Sequence, residues 1–245
     1  MRNFILTLCY DGTRYNGWQK QGNTENTIQH KLEALLSRLL EQEIELAASG
    51  RTDAGVHAKH QVCSFHAETE KNCTELLSEI RRYLPEDIGA VSLEEAQPRF
   101  HARLNCKGKT YIYRVWNSEL PNVFERKYMY NYPLPLDIDA MRKAAGHLCG
   151  EHDFSAFTSA KNMKKSAVRC IDGIKISEEN GEIRFAFTGN GFLYNMVRII
   201  VGTLIEAGKG ERSIESVTSA LHSLDRKNAG FTAPAHGLIL WDVYY

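Results

Sequence analysis

Apolar positions recur along this chain with two different periods. Runs near 4–9, 43–48, 60–66 and 88–93 alternate or are rich in β-forming residues, and between them the segments near 27–41 and 74–84 repeat at helical spacing. Their order is βαββαβ. Thr24-Glu25-Asn26-Thr27 supplies capping residues for the first helix, and Ile28, Leu32, Leu35, Leu36 and Leu39 line one of its faces. The second half repeats the order, with strand-like runs near 109–116, 168–176 and 182–188 around helix-like segments near 137–148 and 193–207. A further helix near 213–222 precedes a closing strand at 238–244. The pattern predicts an α+β protein of two ferredoxin-like, RRM-like halves, 1–104 and 105–245. They are expected to form a mostly antiparallel sheet with helices on one side and a central cleft. No low-complexity linker separates them, which predicts a rigid pair.

Two places break the pattern. Gly50-Arg51-Thr52-Asp53-Ala54-Gly55-Val56-His57 holds one carboxylate between two glycines, in a loop joining two strand-like runs. Glycine serves where a chain turns sharply or a ligand comes close, and a short acid on such a turn can project into a cleft, where its ionisation is tunable. Taken alone, such an aspartate commonly bonds its own turn. The second break is Arg198, set in a helix-like run that Leu193, Met196, Val197, Ile199, Ile200, Val201, Leu204 and Ile205 make apolar nearly all round. A guanidinium there either finds a carboxylate or backbone oxygens, or snorkels to the surface.

Charge adds distribution rather than sum. Thirty basic residues match thirty acidic ones, so the total favours no polyanionic partner. Yet no acid occurs from Gln97 to Ser118, where Arg99, Arg103, Lys107, Lys109 and Arg114 alternate with Phe100, Tyr111, Tyr113 and Trp116. A second acid-free stretch, from Phe154 to Ile171, carries Lys161, Lys164, Lys165 and Arg169. Such patches suit phosphate contact and base stacking, or else form a solvated face. Six scattered cysteines without a C-x-x-C pair fit reduced thiols, and no apolar run reaches the roughly 18 residues of a membrane span, so a cytoplasmic, membrane-free protein is expected.

Several familiar chemistries lack their residues. His57, His60, Cys63 and His66 recur every third position, but strand alternation puts His60 and His66 on one face and Cys63 on the other, so no metal site is expected. Gly189-Asn190-Gly191-Phe192 resembles a dinucleotide loop, but Tyr194 stands where the third glycine belongs. No P-loop, G-x-S-x-G or H-E-x-x-H occurs.

Six separated segments, in order, resemble the tRNA pseudouridine synthase A family. They are Tyr10-Asp11-Gly12-Thr13, Gly17-Trp18-Gln19, the loop from Gly50 to Ala58, Phe100-His101-Ala102-Arg103, Lys109-Thr110-Tyr111 and Phe192-Leu193-Tyr194-Asn195-Met196-Val197-Arg198. Ala229-Gly230-Phe231-Thr232-Ala233-Pro234 and Gly237-Leu238 complete the match. The resemblance implies isomerisation of uridine to pseudouridine in the tRNA anticodon stem-loop, at positions 38, 39 and 40, by a homodimer that uses neither a cofactor nor a nucleotide. It assigns catalysis to Asp53, pairing with that aspartate to Arg198, and stacking on the target base to Tyr111. Arg51 becomes a candidate for holding the displaced backbone, while Arg103, Lys109, Lys164, Lys165 and Arg169 become candidates for gripping RNA. Whether Asp53 adds to the sugar, adds to the base or promotes a glycal stays open. The chain departs from the family at Lys59-His60, Gln21-Gly22 and Arg169-Cys170. A non-catalytic RNA-binding or chaperone module built from the same halves is the competing reading.

Overall fold

The structure, a computed structural model, describes residues 1–161 and 166–245. The chain divides into two compact units, Met1–Lys107 with Leu240–Tyr245, and Gly108–Ile239.

The first unit runs β1 (Arg2–Tyr10), α1 (Ile28–Leu40), β2 (Ala47–Ala48), β3 (His57–Ala67), α2 (Cys73–Tyr83) and β4 (Ile88–Ala96). β1 lies between β3 and β4 and is antiparallel to both. This central place buries Phe4, Leu6 and Leu8 on one face and Asn3 and Thr7 on the other. Register sets Phe4 opposite Phe65, and their rings stack 5.3 Å apart. Thr27 caps α1 by accepting from the His30 N–H, and Asn72 with Glu75 closes a reciprocal capping box on α2.

The strand expected at 43–48 shrinks to Ala47–Ala48, paired with Ser64 and Cys63. Side chains of α1 take the backbone donors that a longer strand would use: Ser37 Oγ accepts from Ile44 N–H at 2.9 Å and Glu33 Oε1 from Leu46 N–H at 3.0 Å. Ile44 and Leu46 stay buried, which is why the segment alternates without pairing.

The second unit holds β5 (Gly108–Trp116), β6 (Tyr130–Asn131), α3 (Ile138–Gly146), β7 (Gly150–Asp153), β8 (Val168–Glu179), β9 (Glu182–Gly189), α4 (Met196–Gly208) and α5 (Ile214–Ser223). The last strand, β10 (Leu238–Tyr244), belongs from Leu240 onward to the first unit. β5, β9, β8 and β7 pair antiparallel in that order, with β6 added parallel to β5. Each unit is therefore α+β, an antiparallel sheet flanked by helices, as the pattern predicts. α4 is apolar nearly all round because it packs on both β5 and α3.

Candidate active site

In the first unit, the backbone of residues 11–18 braces the loop that carries Asp53. Trp18 N–H donates to Thr52 O at 3.0 Å, and Gly55 N–H donates to Tyr15 O at 3.3 Å. Gly17 has φ +89°, and a Cβ there would lie 2.7 Å from Thr52 O, so only glycine lets the two segments meet. The Thr52 hydroxyl bonds the buried Tyr10 OH at 2.8 Å, and burial pushes that phenol's pKa far up, keeping it neutral. From the other side, Gln61 donates to Gly50 O at 2.9 Å and accepts from the Ser49 hydroxyl at 2.7 Å. Val56 N–H closes the turn on Asp53 O at 3.1 Å. Asp53 is thus half-buried on a loop held at both flanks, while Arg51 is exposed.

His57 is buried, and its Nδ1 accepts from Gly12 N–H at 3.0 Å. Asp11 Oδ1 lies 3.2 Å from the same ring nitrogen. His60 meets Asp242 at 2.6 Å, Cys63 turns its buried thiol to Leu6 O at 3.5 Å, and His66 lies 3.3 Å from Pro98 O. The periodic His and Cys residues go separate ways, and among the described residues no group of three or more metal-type ligands comes together.

In the second unit, Arg198 stands in the first turn of α4 rather than mid-helix. Asn195 takes a left-handed conformation (φ 61°), so α4 starts at Met196, three residues later than periodicity suggests. A cation near a helix N-terminus opposes the macrodipole. Two bonds offset that cost: Nε donates to Ala233 O at 2.7 Å and Nη1 donates to Asn195 Oδ1 at 2.8 Å. In return, Ala233 N–H donates to Arg198 O at 3.1 Å. The segment at 229–237 is locked onto α4 further along, where Gly230 N–H donates to the Thr203 hydroxyl at 2.9 Å and Phe231 N–H to Glu206 at 3.1 Å. A Cβ on Gly202 would lie 1.9 Å from Phe231 O, so helix and loop touch backbone to backbone. The buried Tyr113 OH donates to Pro234 O at 2.8 Å. Burial raises its pKa well above the usual value, although the Arg198 charge pulls it the other way. Burial, assisted by the same charge, lowers the His236 pKa and favours the neutral ring. Tyr111, on β5, is buried edge-on against Phe192 at 5.3 Å.

A family model described as tRNA pseudouridine synthase matches residues 8–105 and 144–245. The chain belongs to the tRNA pseudouridine synthase family. Asp53 and Arg51 fall in the first matched stretch and Arg198 and Arg169 in the second, while Lys109 and Tyr111 lie between them. Among family members, tRNA pseudouridine synthase A 2 of Bacillus cereus (strain ZK / E33L) is 44% identical over 245 residues, covering 100% of both chains. tRNA pseudouridine synthase A of Bacillus sp. (strain KSM-64) is 48% identical over 240 residues, 98% of each chain. tRNA pseudouridine synthase A 1 of Clostridium tetani (strain Massachusetts / E88) is 44% identical over 245 residues, 100% of each.

The remaining candidates spread over both units. Arg103 is exposed on a turn whose Arg103 and Leu104 N–H groups donate to His101 Nδ1. Lys109, the second residue of β5, lies opposite Gly189. Arg169 is part-buried and donates to Ser166 O at 3.0 Å and Val168 O at 2.6 Å, beside Gly191. Lys164 and Lys165 lie outside the described residues. The Gly189–Phe192 turn is tied to β8 by reciprocal bonds between Asn190 and Cys170, both 3.1 Å. The departure at Lys59-His60 is absorbed locally, with Lys59 Nζ 4.0 Å from the Trp241 ring centre and His60 on Asp242. Sequence reasoning missed Tyr113, Thr203 and Glu206 as supports of the 229–237 segment. Their only signal was a polar or hydroxyl group at an otherwise apolar position.

No helix among the described residues is long and apolar enough to cross a membrane.

Proposed function

We propose that this chain isomerises uridine to pseudouridine in the anticodon stem-loop of tRNA, at positions 38, 39 and 40, as a cytoplasmic homodimer that needs no cofactor. The N-terminal half, 1–104, supplies Asp53 as the catalytic group; the C-terminal half, 105–245, supplies Arg198 as its partner charge and Tyr111 as the stacking surface. The observation that carries the reading is the Asp53 loop, a half-buried carboxylate on a backbone clamped from both flanks, in a chain of the tRNA pseudouridine synthase family.

In the reaction the N1–C1′ glycosidic bond breaks, the base turns, C5 bonds to C1′, the proton on C5 leaves and N1 takes up a proton, so no atom is gained or lost overall. An ionised carboxylate serves as nucleophile or base and is released unchanged. A base inside a stem cannot reach a half-buried acid, so the nucleotide leaves its stack at a cost of a few kcal/mol. Phosphate contacts from Arg51, Arg103, Lys109, Lys164, Lys165 and Arg169 offset that cost without reading sequence.

Incubation with tRNA labelled with tritium at uridine C5 tests the proposal. The wild type releases tritium without added metal or nucleotide, and Asp53→Ala releases none while retaining tRNA affinity. Undiminished release by that variant removes Asp53 from the chemistry, and a wild type that binds tRNA but releases nothing favours a non-catalytic RNA binder.

A further inference from the structure

The first unit carries a basic cleft that the proposed chemistry does not use. It encloses about 950 Å³ and runs from Arg14 and Tyr15 across Lys31 and Arg38 of α1 to Tyr83 at the end of α2. Lys31 and Arg38 share a face of α1 two turns apart, about 10 Å along the axis. Tyr83 is half exposed, and the guanidiniums of Arg38 and Arg82 lie 5.4 and 5.6 Å from its ring centre. Lys31, Arg38 and Arg82 are exposed, and no carboxylate lies within ion-pair distance of them among the described residues. The one carboxylate lining the cleft, Asp87, is consumed internally by Arg14 at 2.8 Å and the Tyr15 hydroxyl at 2.6 Å.

We propose that this cleft is a second RNA-contacting surface, on which Lys31 and Arg38, together with Arg82 beside the Tyr83 ring, hold phosphates of the substrate outside the reacting nucleotide and the Tyr83 ring stacks on an unpaired base. Three observations favour RNA over a protein occupant. The cations outnumber the available anions, which is the charge complement of a phosphate backbone. An exposed aromatic ring beside guanidiniums is the composition of a sequence-tolerant stacking platform. The cleft also starts on the segment that braces the catalytic loop, since Tyr15 lines it and its carbonyl accepts from Gly55 N–H. Binding energy gained there acts on the same rigid body that carries Asp53, which is how remote contacts offset the cost of everting a base.

The inference rests on the RNA-isomerase reading, and its test separates the two. Kd for unmodified tRNA is measured from low to moderate salt, with KM and kcat by tritium release, for wild type, Arg38→Ala/Arg82→Ala, Tyr83→Leu and the off-surface control Lys143→Ala. Removing two phosphate contacts is expected to flatten the slope of log K against log salt by about 1.5 and to raise KM about tenfold at moderate salt. Tyr83→Leu is expected to weaken binding about five- to tenfold with the slope unchanged. The control retains wild-type slope and KM. An active wild type whose double variant keeps both slope and KM overturns this surface and leaves it to a protein partner or to solvent. A wild type that shows the slope change but forms no pseudouridine overturns the isomerase reading and spares the surface.

Discussion

Among single residues, Gly17 fixes how closely the 15–18 segment approaches the loop that carries Asp53. Its φ of +89° and the 2.7 Å that would separate a Cβ from Thr52 O leave no room for a side chain. Gly17→Ala is therefore expected to cost about 1–3 kcal/mol, through displacement of the loop. Chemical denaturation gives the stability loss, and a fall in kcat larger than the fall in tRNA affinity shows that the loop itself moved. Arg198 invites a different substitution. Its fork grips Ala233 O and Asn195 Oδ1 together, which a lysine cannot imitate. Arg198→Lys keeps the charge but is expected to lower kcat by about tenfold to a hundredfold, in line with losing one or two charge-assisted bonds; unaltered kcat would show that charge alone suffices. Asp53 and Arg198 stand out in the sequence as a lone carboxylate between glycines and a lone guanidinium in an apolar run, whereas Tyr111 is singled out only by the family resemblance. Their supports do not stand out. Thr203 and Tyr113 look like ordinary helix and strand residues until the 229–237 segment folds onto them.

At the scale of elements, α4 and the 229–237 segment form one piece. Gly202 lets their backbones touch, so Gly202→Ala is expected to push Phe231 away at a cost of about 1–3 kcal/mol, lowering the melting temperature and loosening the bond from Arg198 to Ala233. Hydrogen exchange at the Ala233 amide, which donates to Arg198 O, reads that loosening directly; unchanged protection would mean that the helix, not the loop, gave way. The start of α4 and the shortness of β2 show where periodicity misleads. A left-handed Asn195 delays the helix and Glu33 captures the Leu46 amide, and neither event alters the spacing of apolar residues.

Across the molecule, the chain leaves the first unit at Lys107 and comes back to it at Leu240. The returning end is fastened by Lys107 N–H to Tyr244 O at 2.8 Å, Tyr245 OH to Ala102 O at 2.8 Å and the fully buried Leu240. Leu240→Ala is expected to cost about 2–5 kcal/mol, measured by denaturant melts. A cost under 1 kcal/mol would mean that the closing strand is dispensable to the first unit. Glu182 in the second unit is expected to contribute to stability against acid. Burial opposes its ionisation, but Arg114 and Arg184 outweigh that and hold its pKa at about 2. A carboxyl depressed on folding contributes stability above its unfolded pKa of roughly 4.5. That contribution is lost as pH falls from there towards 2. Glu182→Gln should accordingly flatten the decline of stability over this window, and a decline as steep as wild type's would point to other carboxylates.

By itself the sequence determined what repeats at short range: the α+β class, the order of the longer strands and helices, and the start of the first helix at Thr27. Periods of 2 and 3.6 and capping bonds span only a few residues, so a linear reading captures them. Tertiary structure alone decided which backbones touch at Gly17 and Gly202, where Leu46 and Ala233 find their partners, and that the last six residues complete the first unit. Those outcomes depend on close packing and on satisfying every buried polar group between segments far apart in the chain, and no local spacing encodes either one.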